Sequence, residues 1–212
     1  RVRRLRSAIS SMSNFIENIL DDDFPEFRNI VNKIPAPANQ PVREKTVFED
    51  EDLEELLGRL VEEELYQEAC CLALAIGSGA RKAELTRFKV HYFDDENIIY
   101  GSLYKTPEKI KTKGKGGKML HKYTLVNVFK PYLDLWLKER EELGIDNEYL
   151  FVTKRNDKWI RARVSTLDSW AERINRYTNK HFYFHSCRHY YTTHLSTSNI
   201  PAEVIKEIVG WE

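Results

Sequence analysis

The stretch Ala69 to Ile76, ACCLALAI, most limits what this chain can fold into. It is apolar throughout, stops at Gly77-Ser78-Gly79, and predicts a buried helix around which other elements must pack. The 212 residues supply the material, with 42% hydrophobic and 12% aromatic side chains, too many for a disordered chain. No apolar run is long enough to cross a bilayer, and the opening RVRRLRSAISSMSN lacks the apolar core of a secretory signal. A soluble, cytoplasmic protein is expected. Cys70, Cys71 and Cys187 are odd in number and offer neither a disulfide framework nor a zinc-finger spacing, so they read as small buried hydrophobes.

The other elements follow from periodicity. Ser7 to Ile34 carries a helical pattern interrupted by Asp21-Asp22-Asp23 and Pro25. PAPANQP, with Pro35, Pro37 and Pro41, then reads as an extended linker that puts a domain boundary near residue 40. Thr46 with Glu49 resembles a capping box, and Leu53, Leu56, Leu57, Leu60 and Val61 form the stripe of the helix it would open. Arg81 to Phe88 predicts another helix, and Asn97 to Tyr104 and Met119 to Leu125 predict two strands across a lysine-rich loop. A long amphipathic helix from Val126 to Leu143, a short strand at Tyr149 to Val152, and helices near 164–178, 185–196 and 202–209 complete an α+β architecture, mostly helical with a small antiparallel sheet.

The formal charge is zero, yet the charges are segregated. Arg1, Arg3, Arg4 and Arg6 open the chain. Ten acids between Glu44 and Glu64 face only Lys45 and Arg59, whereas Lys105 to Lys122 holds seven lysines against Glu108 alone, interleaved with Gly114, Gly116 and Gly117. Such a loop suits a phosphate backbone as well as it suits a solvated surface hairpin. The Lys/Glu content and only two glutamines, Gln40 and Gln67, hint at a heat-adapted source.

Four local patterns could carry chemistry. Arg81 in GSGARKAEL opens a helix after glycines that permit a tight turn, where it could present a planar fork to phosphate or simply pair with Glu84 at the surface. His185, Arg188 and His189 in HSCRHYYTTHL share one helical face. His185 and His189 also have metal-ligand spacing, but Ser186 stands where a zinc protease carries Glu and Arg188 adds positive charge, so zinc is disfavoured. A lysine of the basic loop could protonate a leaving oxygen, and Trp211 in VGWE could pack or donate its indole N–H.

Taken together and in order, these patterns resemble the catalytic domain of the tyrosine recombinases, the family of phage integrases, Xer recombinases and archaeal viral or plasmid integrases. SGARKAEL is similar to the family's first arginine box, GKGGK to its hairpin string with a lysine general acid, HSCRHYYTTHL to its HxxRH box, and IKEIVGWE to the helix ending in Gly-His or Gly-Trp. The resemblance covers roughly residues 43 to 212. It implies catalytic roles for Arg81, Lys115, His185, Arg188 and Trp211, with Lys105, Lys111 and Lys113 as rivals to Lys115. It also implies DNA contacts from Lys111, Lys113, Lys118, Arg3 and Arg4. The implied activity is site-specific DNA recombination or integration through a covalent 3′-phosphotyrosyl intermediate, with double-stranded DNA as partner, no metal or other cofactor, a nucleoid-associated location and a tetramer assembled on DNA. The family's nucleophilic tyrosine lies beyond the Gly-Trp pair, and Tyr190 and Tyr191 do not match its position. Residues 43–212 are therefore expected to be a catalytic domain lacking its tyrosine helix, preceded by a remnant of the N-terminal core-binding domain in residues 1–42. The chain is then expected to bind DNA without cleaving it. The competing expectations are a DNA-binding module that kept the fold without a nucleophile, and a zinc-binding helical protein using His185 and His189.

Overall fold

The computed structural model describes residues 2–35, 46–112, 117–198 and 200–210. The chain forms two compact units, Arg1–Glu44 and Lys45–Glu212. In the first, helix α1 (Val2–Ile19) ends where Asp23 and Phe24 both donate to the Leu20 carbonyl, and a single 3₁₀ turn follows at Ile30–Lys33. The two pieces are joined by polar bonds. Arg6 donates to the Val31 and Ile34 carbonyls at 3.1 and 2.6 Å, and Asn29 donates to Asn14 Oδ1 at 2.6 Å. Val2, Leu5, Ile9, Met12 and Ile19 are exposed along α1.

The second unit is built around the helix that the apolar run predicts. Helix α3 (Tyr66–Ser78) is buried from Glu68 to its end, with α2 (Asp50–Glu62), α5 (Val126–Glu142) and α7 (Phe184–Thr197) packed against it. A helix apolar all round has no face to give to water, so the packing is enforced. Cys70, Cys71 and Cys187 are free thiols within this core, and burial raises all three pKa values, that of Cys187 to about 12. Trp136 on α5 donates its indole N–H to the Leu150 carbonyl at 2.9 Å, and Arg140 one turn later donates to the Asn147, Tyr149 and Leu150 carbonyls. These bonds fix the loop that leads into the next hairpin.

Several elements differ from expectation for local reasons. Helix α2 is capped at Glu49 rather than Thr46, because Glu49 N–H donates to Asp52 Oδ2 at 2.8 Å and three acids occupy the first turn, where the helix dipole favours them. Helix α4 is one turn, Lys82–Leu85. The chain beyond it pairs instead with residues 148–150, through Leu150 N–H to Phe88 O and Val90 N–H to Glu148 O, both 2.9 Å. The strand expected at Asn97 to Tyr104 is a hairpin, β1 (Ile98–Ile99) and β2 (Leu103–Lys105), folded at Tyr100-Gly101, where both residues have positive φ. Strands β3 (Ile110–Lys111) and β4 (Met119–Leu120) pair with each other, and β5 (Tyr123–Leu125) returns to β2 with Tyr104 opposite Thr124. The strand expected at Tyr149 to Val152 moves to β6 (Val152–Arg155), which pairs with β7 (Lys158–Arg161) across Asn156-Asp157, again both at positive φ. Helices α6 (Val164–Ile174) and α8 (Ala202–Val209) follow, with Leu195, Ile205, Val209 and Tyr191 forming a small second core between α7 and α8.

Gly79 ends α3 at φ 57°, and a Cβ there would lie 2.4 Å from Tyr191 Cδ1. Gly79→Ala is expected to cost about 2–4 kcal/mol in urea denaturation, from left-handed backbone and an overpacked ring. Gly58→Ala, in the interior of α2 with open space around the added methyl, is expected to stabilise by about 0.5–1 kcal/mol. Equal effects at the two positions would refute this account of Gly79.

Candidate phosphate-binding site

The turn at Gly79 brings Arg81 to the start of α4, where the chain doubles back beside Glu84. Arg81 N–H donates to Glu84 Oε2 and its guanidinium to Glu84 Oε1, both at 3.0 Å. The pairing with Glu84 is therefore formed, but it is not a surface bridge. The Glu84 side chain is 0% exposed, while that of Arg81 is 26% exposed. From β5's side, Lys122 places its ammonium 2.8 Å from Glu84 Oε2, with the lysine side chain 1% exposed. The strand path explains how a lysine is driven inside. Thr106 N–H bonds to Lys122 O and Lys122 N–H to Thr106 Oγ1, both at 3.0 Å, which holds Lys122 in the sheet beside the buried Tyr104 and Thr124.

Arg188 reaches the same place from α7. It is 2% exposed and donates through one amino group to Gly79 O at 2.8 Å and through the other to Val209 O, the last residue of α8, at 2.7 Å. Burial, and after it the charge of Arg81, lowers the Arg188 pKa to about 10, which still leaves it protonated at neutral pH. Desolvation lowers the Lys122 pKa, opposed by Glu84 and reinforced by Arg188 and Arg81. Two cations thus pair with one carboxylate and a third lies within its field, an arrangement with surplus positive charge in a place poor in water. An oxyanion is the natural complement.

His185 stands at the exposed start of α7, its ring 4.7 Å from that of His189 in an edge-to-face pair. Partial desolvation, then His189, Arg188 and Arg81, lower its pKa, so the ring is neutral at pH 7 and can accept a proton. Among the described residues, no group of three or more His, Cys, Asp or Glu side chains is arranged to hold a metal ion. Lys111 lies in β3, where its carbonyl accepts a hydrogen bond from Arg87, and the Lys118 carbonyl accepts from Thr112 N–H at 2.8 Å. Lys105 is half-buried in β2. Arg3 and Arg4 lie on α1 in the other unit. Lys113, Lys115 and Trp211 lie outside the described residues. Sequence reasoning missed the inward placement of Glu84 and Lys122. The clue available was only that Lys122 falls inside the strand expected at Met119 to Leu125.

Both α7 tyrosines are engaged within the fold. Tyr190 donates to Asp50 Oδ1 at 2.8 Å, and burial with this bond raises its pKa, while burial alone raises that of Tyr191 to about 12.

The fold is that of a tyrosine recombinase catalytic domain. Residues 46–212 match the Phage integrase family, and the chain belongs to it. It is 30% identical over 216 residues to the SPbeta prophage-derived recombinase-like protein YomM of Bacillus subtilis (strain 168), covering 97% of this chain and 62% of YomM. The chain thus spans less than two thirds of that relative. In fold it is similar to the XerA recombinase, with a TM-score of 0.61 at 19% identity, over 97% of this chain and 74% of XerA. It is also similar to lambda integrase bound as a dimer to a COC′ core site, with a TM-score of 0.64 at 16% identity, over 99% and 71% of the two chains. Among the described residues no helix is long and apolar enough to cross a membrane.

The His185 shift has a measurable sign. On acidification the unfolded chain takes up this proton first, near the ordinary histidine value of about 6.5, and the folded chain only at lower pH. Stability is therefore expected to fall through that window, and the urea midpoint of His185→Asn should fall less steeply than that of the parent. Parallel pH curves for the two chains would contradict the assignment.

Proposed function

We propose that this chain supplies the catalytic domain of a site-specific DNA recombinase or integrase that works through a 3′-phosphotyrosyl intermediate. The observation that carries the reading is the Arg81–Glu84–Lys122 cluster closed by Arg188. Attack of a tyrosine oxygen on a DNA phosphodiester forms the Tyr–O–P bond, breaks the bond from phosphorus to the 5′ oxygen, and builds charge on the non-bridging oxygens. The Arg81 and Arg188 guanidiniums stabilise that charge. The phenolic proton passes to His185, and a hairpin lysine protonates the departing 5′ oxygen. Lys115 is assigned this role, with Lys105, Lys111 and Lys113 as the alternatives, and Trp211 packs or donates beside the phosphate. Attack by a free 5′-hydroxyl on the phosphotyrosine reverses the step, so the phosphodiester energy is conserved and neither metal nor nucleotide is consumed. The nucleophile in this reading is a tyrosine outside residues 1–212, which the engagement of Tyr190 with Asp50 and the burial of Tyr191 support.

The same reading makes residues 1–42 part of a core-binding domain and a linker, with Arg3, Arg4, Lys111, Lys113 and Lys118 on the DNA backbone. The assembled species is a tetramer on a double-stranded recombination site, located with the nucleoid. Residues 1–212 alone are expected to bind DNA, with affinity falling as salt rises, and to leave it uncut.

The test is covalent trapping by the natural full-length protein on a nicked substrate that prevents rejoining, read as an SDS-resistant protein–DNA adduct. Arg188→Ala and Arg81→Ala are each expected to slow adduct formation about 10²–10³-fold. Loss of one phosphate contact among several should weaken DNA binding only about tenfold or less. Salt-sensitive binding with no adduct from the parent protein would instead identify a DNA-binding module that uses the fold without its chemistry.

A further inference from the structure

Glu84 is more heavily occupied than the cap of a one-turn helix requires. Its two oxygens take the Arg81 backbone N–H, the Arg81 guanidinium and the Lys122 ammonium, and both Glu84 and Lys122 are withdrawn from water. With Arg81 alone as its partner, this buried carboxylate would cancel the guanidinium, and the first arginine of the site would present little net charge to an anion. A second cation on Glu84 restores the excess. An ammonium in the protein interior is costly to desolvate, and apolar residues generally fill such space at no loss of stability, so the pair has no evident structural advantage.

We propose that Lys122 is a positioning residue for the recombination reaction, its ammonium neutralising Glu84 so that Arg81 keeps both its orientation and its charge for the scissile phosphate. The inference rests on the recombinase reading above. The ammonium lies 2.8 Å from Glu84 Oε2, and its effect passes through that carboxylate. Its role is therefore separate from that of the hairpin lysine that protonates the leaving oxygen. The charged groups around Lys122 are Glu84 from α4, Arg81 from the turn before it and Arg188 from α7. Burial, reinforced by the two arginines and opposed by Glu84, makes Lys122 give up its proton at lower pH than an ordinary lysine.

The experiment compares the parent full-length protein with Lys122→Met, Lys122→Arg, Arg81→Ala and Arg188→Ala in adduct formation on the nicked substrate. It is run at saturating DNA across pH 7 to about 10, short of the ordinary lysine value, with thermal melting as the check on folding. Lys122→Met is expected to lower the saturated rate about 10²-fold, the scale of one lost oxyanion donor, while DNA affinity changes little. Lys122→Arg should recover most of the rate and shift the alkaline fall-off upward, since a guanidinium keeps its proton. The loop lysines are unchanged between the parent and Lys122→Arg, so a difference in that limb reports residue 122 even if Lys122→Met folds poorly. Parental rates in Lys122→Met, or an identical alkaline limb in Lys122→Arg, would overturn the inference while Arg81→Ala and Arg188→Ala still lost activity. No adduct from the parent, or full activity in Arg188→Ala, would overturn the recombinase reading and this inference with it.

Discussion

The Arg188 guanidinium is the contact on which the site depends. It is buried, it carries its charge into the interior, and it satisfies that charge on two carbonyls that belong to different parts of the chain, Gly79 after α3 and Val209 at the end of α8. A carbonyl left over at a helix end needs a donor, and a buried guanidinium needs acceptors, so each solves the problem of the other. The result is that the turn bearing Arg81, the helix bearing His185 and the last turn before Trp211 converge on one side chain.

The scaffold behind that contact is α3. Because this helix buries nearly everything it carries, its C-terminal end is a fixed point, and the left-handed Gly79 launches the chain toward Glu84 from a place that does not move with the surface. Charge can be concentrated at such a point only if the surroundings hold it. Glu84 does so for Arg81 and Lys122, and the small core of Tyr191, Leu195, Ile205 and Val209 does so mechanically for α7 and α8. Buried ion pairs of this kind contribute little to stability. Their presence beside Arg81 is better explained by preorganisation of that side chain.

Much of this was legible in the residues. The run Ala69 to Ile76 gave the central helix, Gly77-Ser78-Gly79 its end, and the stripes of Leu53 to Val61 and Val126 to Leu143 the helices that cover it. Arg81, His185 and Arg188 lie close enough to influence one another's charge. What the sequence hid was set by turns and by depth. Tyr100-Gly101 and Asn156-Asp157 reverse the chain within two residues, and Tyr100 at positive φ is not a residue from which such a turn is readily expected. Lys122 looks like one more member of a lysine-rich stretch, and nothing in its neighbours His121 and Tyr123 distinguishes it. Only the pairing of Thr106 with it, and the depth of the carboxylate opposite, turn it inward.

One close approach links parts of the molecule that the chemistry treats separately. Gly210 ends α8 at φ 71°, and a Cβ there would stand 2.7 Å from Leu120 Cδ1 in β4, whose partner across the hairpin is Ile110. The missing side chain lets the terminal turn of α8 rest directly on the root of the basic hairpin. A side chain at residue 210 would have to displace Leu120, so the end of α8 and the β3–β4 hairpin cannot be altered independently there.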